Sequence, residues 1–183
     1  MTPDEVEVVL ARWRAEEAAV RARLAPPGSA RPDQIRGRSG LQIFEAIFAG
    51  ELPRPAIGDT LDIFAIRMEA GRAVFQGRPQ AKHYNPLGIV HGGWFATLLD
   101  SAMGCAVQSA LPANRIYTTV ELSLNIVRSL TEAVPLVRGE GEAIHVGRQL
   151  ATAEGRIVGP DGKLYAHGTT TCFVFDRARA PEG

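Results

Sequence analysis

The sequence has few cysteines and histidines, few aromatic residues and no excess of charge of either sign. Its 183 residues include two cysteines and four histidines, and 7% are aromatic. Cys105 and Cys172 lie far apart in apolar segments. This spacing does not indicate a disulfide framework, and we interpret both as buried thiols in a reducing compartment. The histidines have no short spacing to one another or to a cysteine, so no metal site is expected.

The charge balance excludes broad electrostatic functions. Lysine and arginine number 20, as do aspartate and glutamate, so the formal net charge is zero. A general attraction to nucleic acid or to an anionic membrane is therefore not expected. No apolar run approaches the roughly 18 residues of a membrane span. The amino terminus is acidic and helical in pattern rather than a basic leader. We expect a cytoplasmic protein with no nucleic-acid or membrane partner.

The first 37 residues form an N-terminal unit. Apolar residues recur at helical spacing from Thr2 to Leu24, which predicts an amphipathic helix. Glu17 interrupts this apolar stripe, so we expect its burial to be incomplete. A segment rich in Pro, Gly, Ser and Arg follows and predicts a linker or exposed loop. We therefore predict a domain boundary after residue 37, with an N-terminal helix and linker in residues 1–37 and one domain in residues 38–183.

The rest of the chain predicts an α+β domain. A short helix starts at Ser39, and a hairpin is predicted around Ala70 and Gly71. A long apolar helix then extends from about Gly92 to Leu111 and is followed by four β-like stretches, 117–127, 135–145, 149–158 and 164–175. This order predicts one antiparallel sheet wrapped around a single buried helix.

Asp100 is an unexpected residue in that long helix. A helix that is apolar on every side is expected to be buried on every side. A buried carboxylate without a partner is costly in free energy. Asp100 is therefore either satisfied by hydrogen bonds as a packing residue or placed in a cleft as a base or nucleophile. The composition of the helix leaves both interpretations open.

The paired glycines before Asp100 favour a functional interpretation. Backbone N–H groups at a helix start have no partner within the helix and carry the positive end of its dipole. Gly92 and Gly93 would let a reacting carbonyl approach these donors. Gly92 and Asp100 are eight residues apart, about 12 Å along a helix. One small carbonyl cannot reach both, so either the reacting group spans them or two chains contribute one group each.

The segment NPLGIVHGGWFATLLDSAMG resembles the hotdog-fold acyl-CoA thioesterases, specifically the PaaI-type (phenylacetate-degradation) branch. The resemblance covers about residues 40–175 and implies a hotdog fold preceded by an extra N-terminal helical segment. The residues that match the pattern in type and spacing are Asn85, Gly88, His91, Gly92, Gly93 and Asp100.

The resemblance implies a role for each matched residue. Asp100 would be the nucleophile or the general base that activates water, and Thr119 would assist beside it. The N–H of Gly92, with Gly93 nearby, would polarise the thioester carbonyl. Asn85 would orient the water or the carbonyl, and His91 would shape the loop rather than transfer protons. No cofactor or metal is implied, because CoA is part of the substrate.

The resemblance also implies partners. Gly147 and Arg148 occupy the place where the family contacts CoA, and Arg128 is a less certain contact of the same kind. Each site would be shared by two subunits of a homodimer, and the dimers would pair into a tetramer. An acyl pocket for an aromatic or medium-chain group is expected to be lined by four residues, Trp94, Leu98, Phe44 and Phe48.

Two other functions compete with acyl-CoA hydrolysis. One is a hotdog-fold enoyl-CoA hydratase or dehydratase, which normally relies on a catalytic His with an Asp or Glu on a different motif. The other is a non-catalytic acyl-CoA-binding or sensing module. The presence of both Asn85 and Asp100 counts against the second. A serine hydrolase is not indicated, because no Gly-x-Ser-x-Gly elbow is present.

Overall fold

The computed structural model describes residues 1–177. Its helices are α1 (Pro3–Arg21), α2 (Pro32–Ile35), α3 (Gly40–Phe48), α4 (Ile57–Leu61) and α5 (Gly92–Ser109), with a 3-10 turn at Ala81–His83. Its strands are β1 (Ala25–Pro27), β2 (Pro53–Arg54), β3 (Ile63–Glu69), β4 (Arg72–Gly77), β5 (Arg115–Ile126), β6 (Val137–Val146), β7 (Leu150–Val158) and β8 (Leu164–Asp176). The last six residues of the predicted 38–183 domain lie outside the described residues.

Six of the strands form one antiparallel sheet in the order β3-β4-β6-β7-β8-β5. This sheet wraps around α5, so the predicted α+β class, the hairpin at Gly71 and the four later strands are confirmed. Three glycines, Gly141, Gly155 and Gly168, lie side by side on β6, β7 and β8. A Cβ on Gly141 would lie 2.4 Å from the backbone of Ala102 in α5. A Cβ on Gly155 would lie 2.7 Å from the side chain of Met103, so the absence of side chains at these two positions lets β6 and β7 close onto the helix.

Helix α5 is buried on most sides but not on all of them. Its core face includes Leu98, Leu99, Ala102 and Met103, which have no exposed surface. Five residues at helical spacing are only half-buried: Thr97, Asp100, Ser101, Cys105 and Gln108. The expectation of complete burial is therefore wrong for one side of α5, which we call the open side. The sheet covers the other sides, and short polar residues mark where its cover ends.

Helix α1 packs on the outer face of the sheet, opposite α5. Leu10 and Trp13 form a small apolar cluster with Leu136. Arg138 lies over the Trp13 ring, with its guanidinium carbon 4.4 Å from the ring centre. This contact anchors the N-terminal segment to the body of the protein.

Glu17 is buried, with 7% of its surface exposed, which contradicts the expectation of incomplete burial. Its carboxylate accepts hydrogen bonds from Arg21 at 2.6 Å, Gln76 at 2.7 Å and Arg78 at 3.4 Å. A carboxylate with several charged or polar donors can stay buried, because these donors replace its water. Sequence periodicity alone does not reveal such partners, since Gln76 and Arg78 come from a distant strand and the loop that follows it.

The predicted linker is more ordered than its composition indicates. Strand β1 pairs in parallel with β2, and the short helix α2 follows. Ile35 is buried against Ala46 and Leu52. The prediction of an unpacked loop is therefore wrong for this part of the segment, because one apolar residue fastens it to α3. No helix among residues 1–177 has the length and apolar character needed to cross a membrane.

We predict that Glu17→Ala lowers the free energy of unfolding by about 1–3 kcal/mol, because Gln76 and Arg78 lose the acceptor that they share. Urea denaturation would measure this change. Glu7→Ala is the matched control on the same helix, since Glu7 and its partner Arg14 are both well exposed. Its effect should stay within about 0.5 kcal/mol. Equal effects of the two substitutions would contradict a structural role for the Glu17 cluster.

Candidate active site

The loop before α5 is ordered by Asn85. Its side-chain Oδ1 accepts a hydrogen bond from the N–H of Leu87 at 2.9 Å. Its own N–H donates to the Ile89 carbonyl at 2.8 Å, which closes the loop. Gly88 has a φ of +76° at the turn, a conformation that favours glycine. Asn85 thus uses its oxygen to hold the loop, and its Nδ2 amide is the group that remains to contact a substrate.

Helix α5 begins with one available backbone N–H group, that of Gly92, rather than with the predicted pair from Gly92 and Gly93. The ring of His91 caps the helix, because its Nδ1 accepts the Gly93 N–H at 2.9 Å. The Gly92 N–H donates to no acceptor within residues 1–177. A Cβ on Gly92 would meet only Ile126 Cδ1, at 3.4 Å. Gly92 therefore presents an accessible N–H at the positive end of the helix dipole, while His91 shapes the helix start.

Asp100 lies on the open side of α5 and is held by one hydroxyl. The Oγ1 atom of Thr119, on β5, donates a hydrogen bond to Asp100 Oδ1 at 2.9 Å. The carboxylate is half-buried. Within the described residues its second oxygen accepts no hydrogen bond from a side chain or the backbone. The arrangement fixes the orientation of the carboxylate and leaves one oxygen for a water molecule or a substrate.

The groups around Asp100 stay protonated at neutral pH. Burial raises the pKa of the Cys105 thiol to about 12, and the Asp100 charge adds to the shift. Burial, with the nearby Cys105 and Asp100, also raises the pKa of the Tyr117 hydroxyl well above its ordinary value. Burial raises the pKa of Cys172 as well. Asp100 is therefore the candidate base of this cluster, and neither thiol is suited to act as a nucleophile.

The predicted site residues form two groups within one chain. Gly92 lies near Ile126 at the end of β5, whereas Asp100 accepts a hydrogen bond from Thr119 nearer the start of this strand. Asn85 and His91 lie with Gly92 at the first end. The protomer therefore contains the two halves of a possible site, but it does not bring them together.

The three predicted CoA contacts are also divided between the two ends of β5. Arg128 lies just beyond β5, where its N–H donates to the Tyr165 carbonyl. Gly147 and Arg148 form the turn between β6 and β7, and the carbonyl of Arg148 accepts a hydrogen bond from Arg115 at the start of β5. The side chains of Arg128 and Arg148 are exposed, one near each end of the strand.

The predicted acyl-pocket residues are only partly brought together. Phe44 and Phe48 line an apolar cavity beside the open side of α5. Trp94 and Leu98 do not line it, because they are buried in the core at 3% and 0% exposure. Sequence reasoning also missed Thr97, Ser101 and Cys105, whose i, i+4, i+8 spacing could have marked this side of the helix. Residues 1–177 contain no cluster of side chains that would hold a metal ion.

Comparison with known proteins identifies related families. The model of the thioesterase superfamily matches residues 87–166, which include Gly92, Asp100 and Thr119. The 1,4-dihydroxy-2-naphthoyl-CoA hydrolase of Listeria monocytogenes is 28% identical over 116 residues, which are 63% of this chain and 93% of that protein.

Solved structures agree with the fold. A phenylacetic acid degradation-related protein of Ralstonia eutropha superposes with a TM-score of 0.65 and 29% identity, covering 71% of this chain and 98% of that one. A mutant of the phenylacetic acid degradation protein PaaI of Thermus thermophilus gives a TM-score of 0.57 and 26% identity, covering 64% and 96%. These similarities confirm the hotdog fold and the resemblance inferred from the sequence.

Proposed function

We propose that the chain hydrolyses the thioester bond of an acyl-CoA to give a carboxylic acid and CoA, a reaction class supported by the match of residues 87–166 to the thioesterase superfamily. The observation that carries this proposal is Asp100, a half-buried carboxylate oriented by Thr119 on the open side of α5. A similar protein of Listeria monocytogenes is named as a hydrolase of a CoA thioester, which supports the reaction class. The reaction requires no cofactor, because CoA is part of the substrate.

The reaction follows from the two halves of the site. Water adds to the thioester carbon, the carbonyl oxygen becomes an oxyanion, and the carbon–sulfur bond then breaks to release CoA. The Gly92 N–H is suited to bind the oxyanion. Asp100 is suited either to accept the proton of the water or to attack the carbon itself, forming an anhydride that water then hydrolyses. Thr119 orients the carboxylate, and the Asn85 amide would orient the water or the carbonyl.

The separation of Asp100 from Gly92 supports a site shared by two subunits. Strand β5 is at the edge of the sheet and pairs only with β8 among the described strands. Val120 and Ile126 on this strand are 59% and 43% exposed. A long exposed edge strand with apolar residues is suited to pair with another chain. We therefore propose a homodimer in which the two β5 strands pair.

The positions along β5 indicate the register of this dimer. Thr119 marks the Asp100 half of the site, and Ile126 marks the Gly92 half. In a symmetric antiparallel pair, a two-fold axis near Leu122 and Ser123 places these two positions opposite each other, about 5 Å apart. Asp100 of one protomer would then face Gly92 of the partner subunit. Arg128 and Arg148 would meet at the rim of the same site, where they would contact CoA.

The oligomeric state and the cellular location of the protein are also proposals. The pairing of dimers into a tetramer stays a prediction from the resemblance. We also propose a cytoplasmic location, which is supported by the two free thiols of Cys105 and Cys172.

We predict that Asp100→Asn abolishes acyl-CoA hydrolysis, with kcat/KM falling about 10²–10⁴-fold, because the amide is neither a base nor a nucleophile. Release of free CoA thiol would be measured over aryl-, short- and long-chain acyl-CoAs. Glu154→Gln, on the outer face of the sheet, is the matched control and should retain activity. If no substrate gave thiol above the Asp100→Asn background, the thioesterase proposal would be wrong. CoA binding without turnover would indicate a sensing module, and a change in enoyl absorbance without thiol would indicate a dehydratase.

We predict that Gly92→Pro lowers kcat about 10²–10³-fold, whereas Gly92→Ala has a small effect. Gly92 is the first residue of α5, where proline is tolerated, and the extended backbone of His91 suits a residue before proline. Proline removes the N–H, while alanine keeps it and adds a Cβ with room to fit. Circular dichroism and kinetics would be measured for both variants. Equal activity of the two would exclude the Gly92 N–H as the oxyanion donor.

We predict that two inactive variants restore activity when they are mixed. A heterodimer of Asp100→Asn and Gly92→Pro has one intact shared site and one site with both defects. After unfolding and refolding of an equimolar mixture, about a quarter of the wild-type activity should return by random pairing of subunits. Each variant refolded alone is the control. No recovery from a mixture of folded dimers would show that each site lies within one protomer.

A further inference from the structure

His83 is a buried histidine that the proposed reaction does not use. It ends the 3-10 turn Ala81–His83, and only 7% of its surface is exposed. Its ring lies beside that of Trp94 in α5, with the ring centres 5.8 Å apart and an angle of 29° between the ring planes. Trp94 is fixed in turn, because its indole N–H donates to the Leu61 carbonyl at 2.9 Å. The ring of His83 is therefore packed against a side chain that is itself held in place.

The backbone of His83 closes the loop before α5, residues 83–91, which we call the site loop. Its carbonyl accepts the N–H of His91 at 2.9 Å. An antiparallel bridge between Tyr84 and Val90 forms the next rung. His83 therefore lies at the base of a small hairpin, opposite the residue that caps α5.

Two groups of the proposed site depend on this base. Asn85 lies two residues after His83 on one side of the hairpin, and Gly92 directly follows His91 on the other side. A shift of the base would therefore move the Asn85 amide and the Gly92 N–H together. A displacement of about 1 Å in a catalytic constellation can cost about 10²-fold in rate, so the base of the hairpin has to keep its position.

The imidazole ring of His83 is buried without hydrogen bonds. Neither ring nitrogen donates to or accepts from any group within residues 1–177. A partner subunit cannot supply an acceptor, because atoms of the same protomer already cover both nitrogens. The neutral ring leaves one N–H unsatisfied at this place, whereas the protonated ring would leave two and bury a positive charge. The packed site loop therefore accommodates the neutral ring at a much lower cost than the charged ring.

The surroundings of the ring do not offset the cost of charging it. Burial lowers the pKa of His83 below its ordinary value of 6.5, and the positive charge of Lys82 in the same turn adds to this effect. Asp62, next to the end of α4, acts in the opposite direction, but its carboxylate is already paired with two arginines. The Trp94 ring also attracts a cation, but its centre lies close to the 6 Å limit of that interaction.

We propose that His83 is a positioning residue for the reaction: its neutral ring keeps the site loop packed on α5, and protonation of the ring releases the loop. This inference rests on the proposed function, because the site loop matters to the reaction only if Asn85 and Gly92 act in it. The residue itself contacts no reacting atom and acts through the hairpin that it closes.

The pH dependence of loop release has a defined sign. In the released loop the ring is solvated and has its ordinary pKa of 6.5, whereas its pKa is lower in the packed loop. The packed loop is therefore fully stabilised above about pH 6.5 and loses this stabilisation as the pH falls below that value. For a single proton, the ratio of released to packed loop rises by up to about 10-fold for each pH unit below 6.5.

The first test measures amide hydrogen exchange of the wild-type chain at pH 8 and pH 5.5, expressed as protection factors. The His91 N–H reports on the loop, because it is bonded to the His83 carbonyl. Its protection should fall about 10-fold at the lower pH and should stay well below that of the Val107 N–H, which lies in the buried part of α5. Equal protection of His91 and Val107 would show that the loop opens only when the whole protein unfolds, which would overturn the proposal.

The second test uses a variant that cannot be protonated. His83→Phe keeps an aromatic ring beside Trp94 but has no ring nitrogen, so the fall in His91 protection at pH 5.5 should be lost. Its ratio of kcat/KM at pH 5.5 to that at pH 8 should exceed the wild-type ratio by about 3-fold or more. His167→Phe, the same substitution at an exposed histidine on β8, is the matched control and should behave as the wild type does.

The outcomes separate the two proposals. If the wild type releases thiol but His83→Phe has the same pH dependence as the wild type, the role of His83 is overturned and the hydrolase proposal stands. If the wild type releases no thiol from any acyl-CoA, the hydrolase proposal fails, and the exchange measurements test the loop alone. The comparison of His91 with Val107 needs no variant, so it decides the question even if His83→Phe does not fold.

Discussion

The close packing of the sheet onto α5 is the constraint on which the rest of the structure depends. Gly141 brings β6 against the backbone of the helix and Gly155 brings β7 against the side chain of Met103, where a further side chain would not fit. A curved sheet of six strands covers most of a helix but leaves one side open. The half-buried residues Thr97, Asp100 and Cys105 mark that side. The fold therefore determines where a carboxylate can remain in contact with water while it is held by the core.

The open side of α5 carries both the candidate catalytic carboxylate and one wall of the apolar cavity. Burial keeps the Cys105 thiol and the Tyr117 hydroxyl protonated, so Asp100 is the group of this cluster that is suited to act as a base or a nucleophile. Thr119 orients its carboxylate from the edge strand. The apolar cavity begins on the next row of the same helix face. A thioester at this place would have its carbonyl near the carboxylate and its acyl group in an apolar environment.

Much of the fold was predictable from local sequence patterns, whereas the contacts of the site were not. The mostly apolar composition of α5, the hairpin signal at Gly71 and the alternation along β5 are patterns that are local in the chain. The burial of Glu17 and the bond between Thr119 and Asp100 depend on residues that are distant in sequence. Periodicity indicates that Asp100 is unusual, but it does not identify the group that holds it.

The residues that line the apolar cavity were also only partly predictable from the sequence. Sequence reasoning placed Trp94 and Leu98 beside the aromatic residues of α3, because all four are large and apolar. Residues 94 and 98 instead face the sheet, while the cavity is lined by residues 97, 101 and 105, an average rotation of about 40° on the same helix. The open side of α5 therefore has two neighbours, the N-terminal segment and the free edge of β5. The first forms a wall of the apolar cavity, and the second offers the surface through which a partner subunit would supply the oxyanion donor.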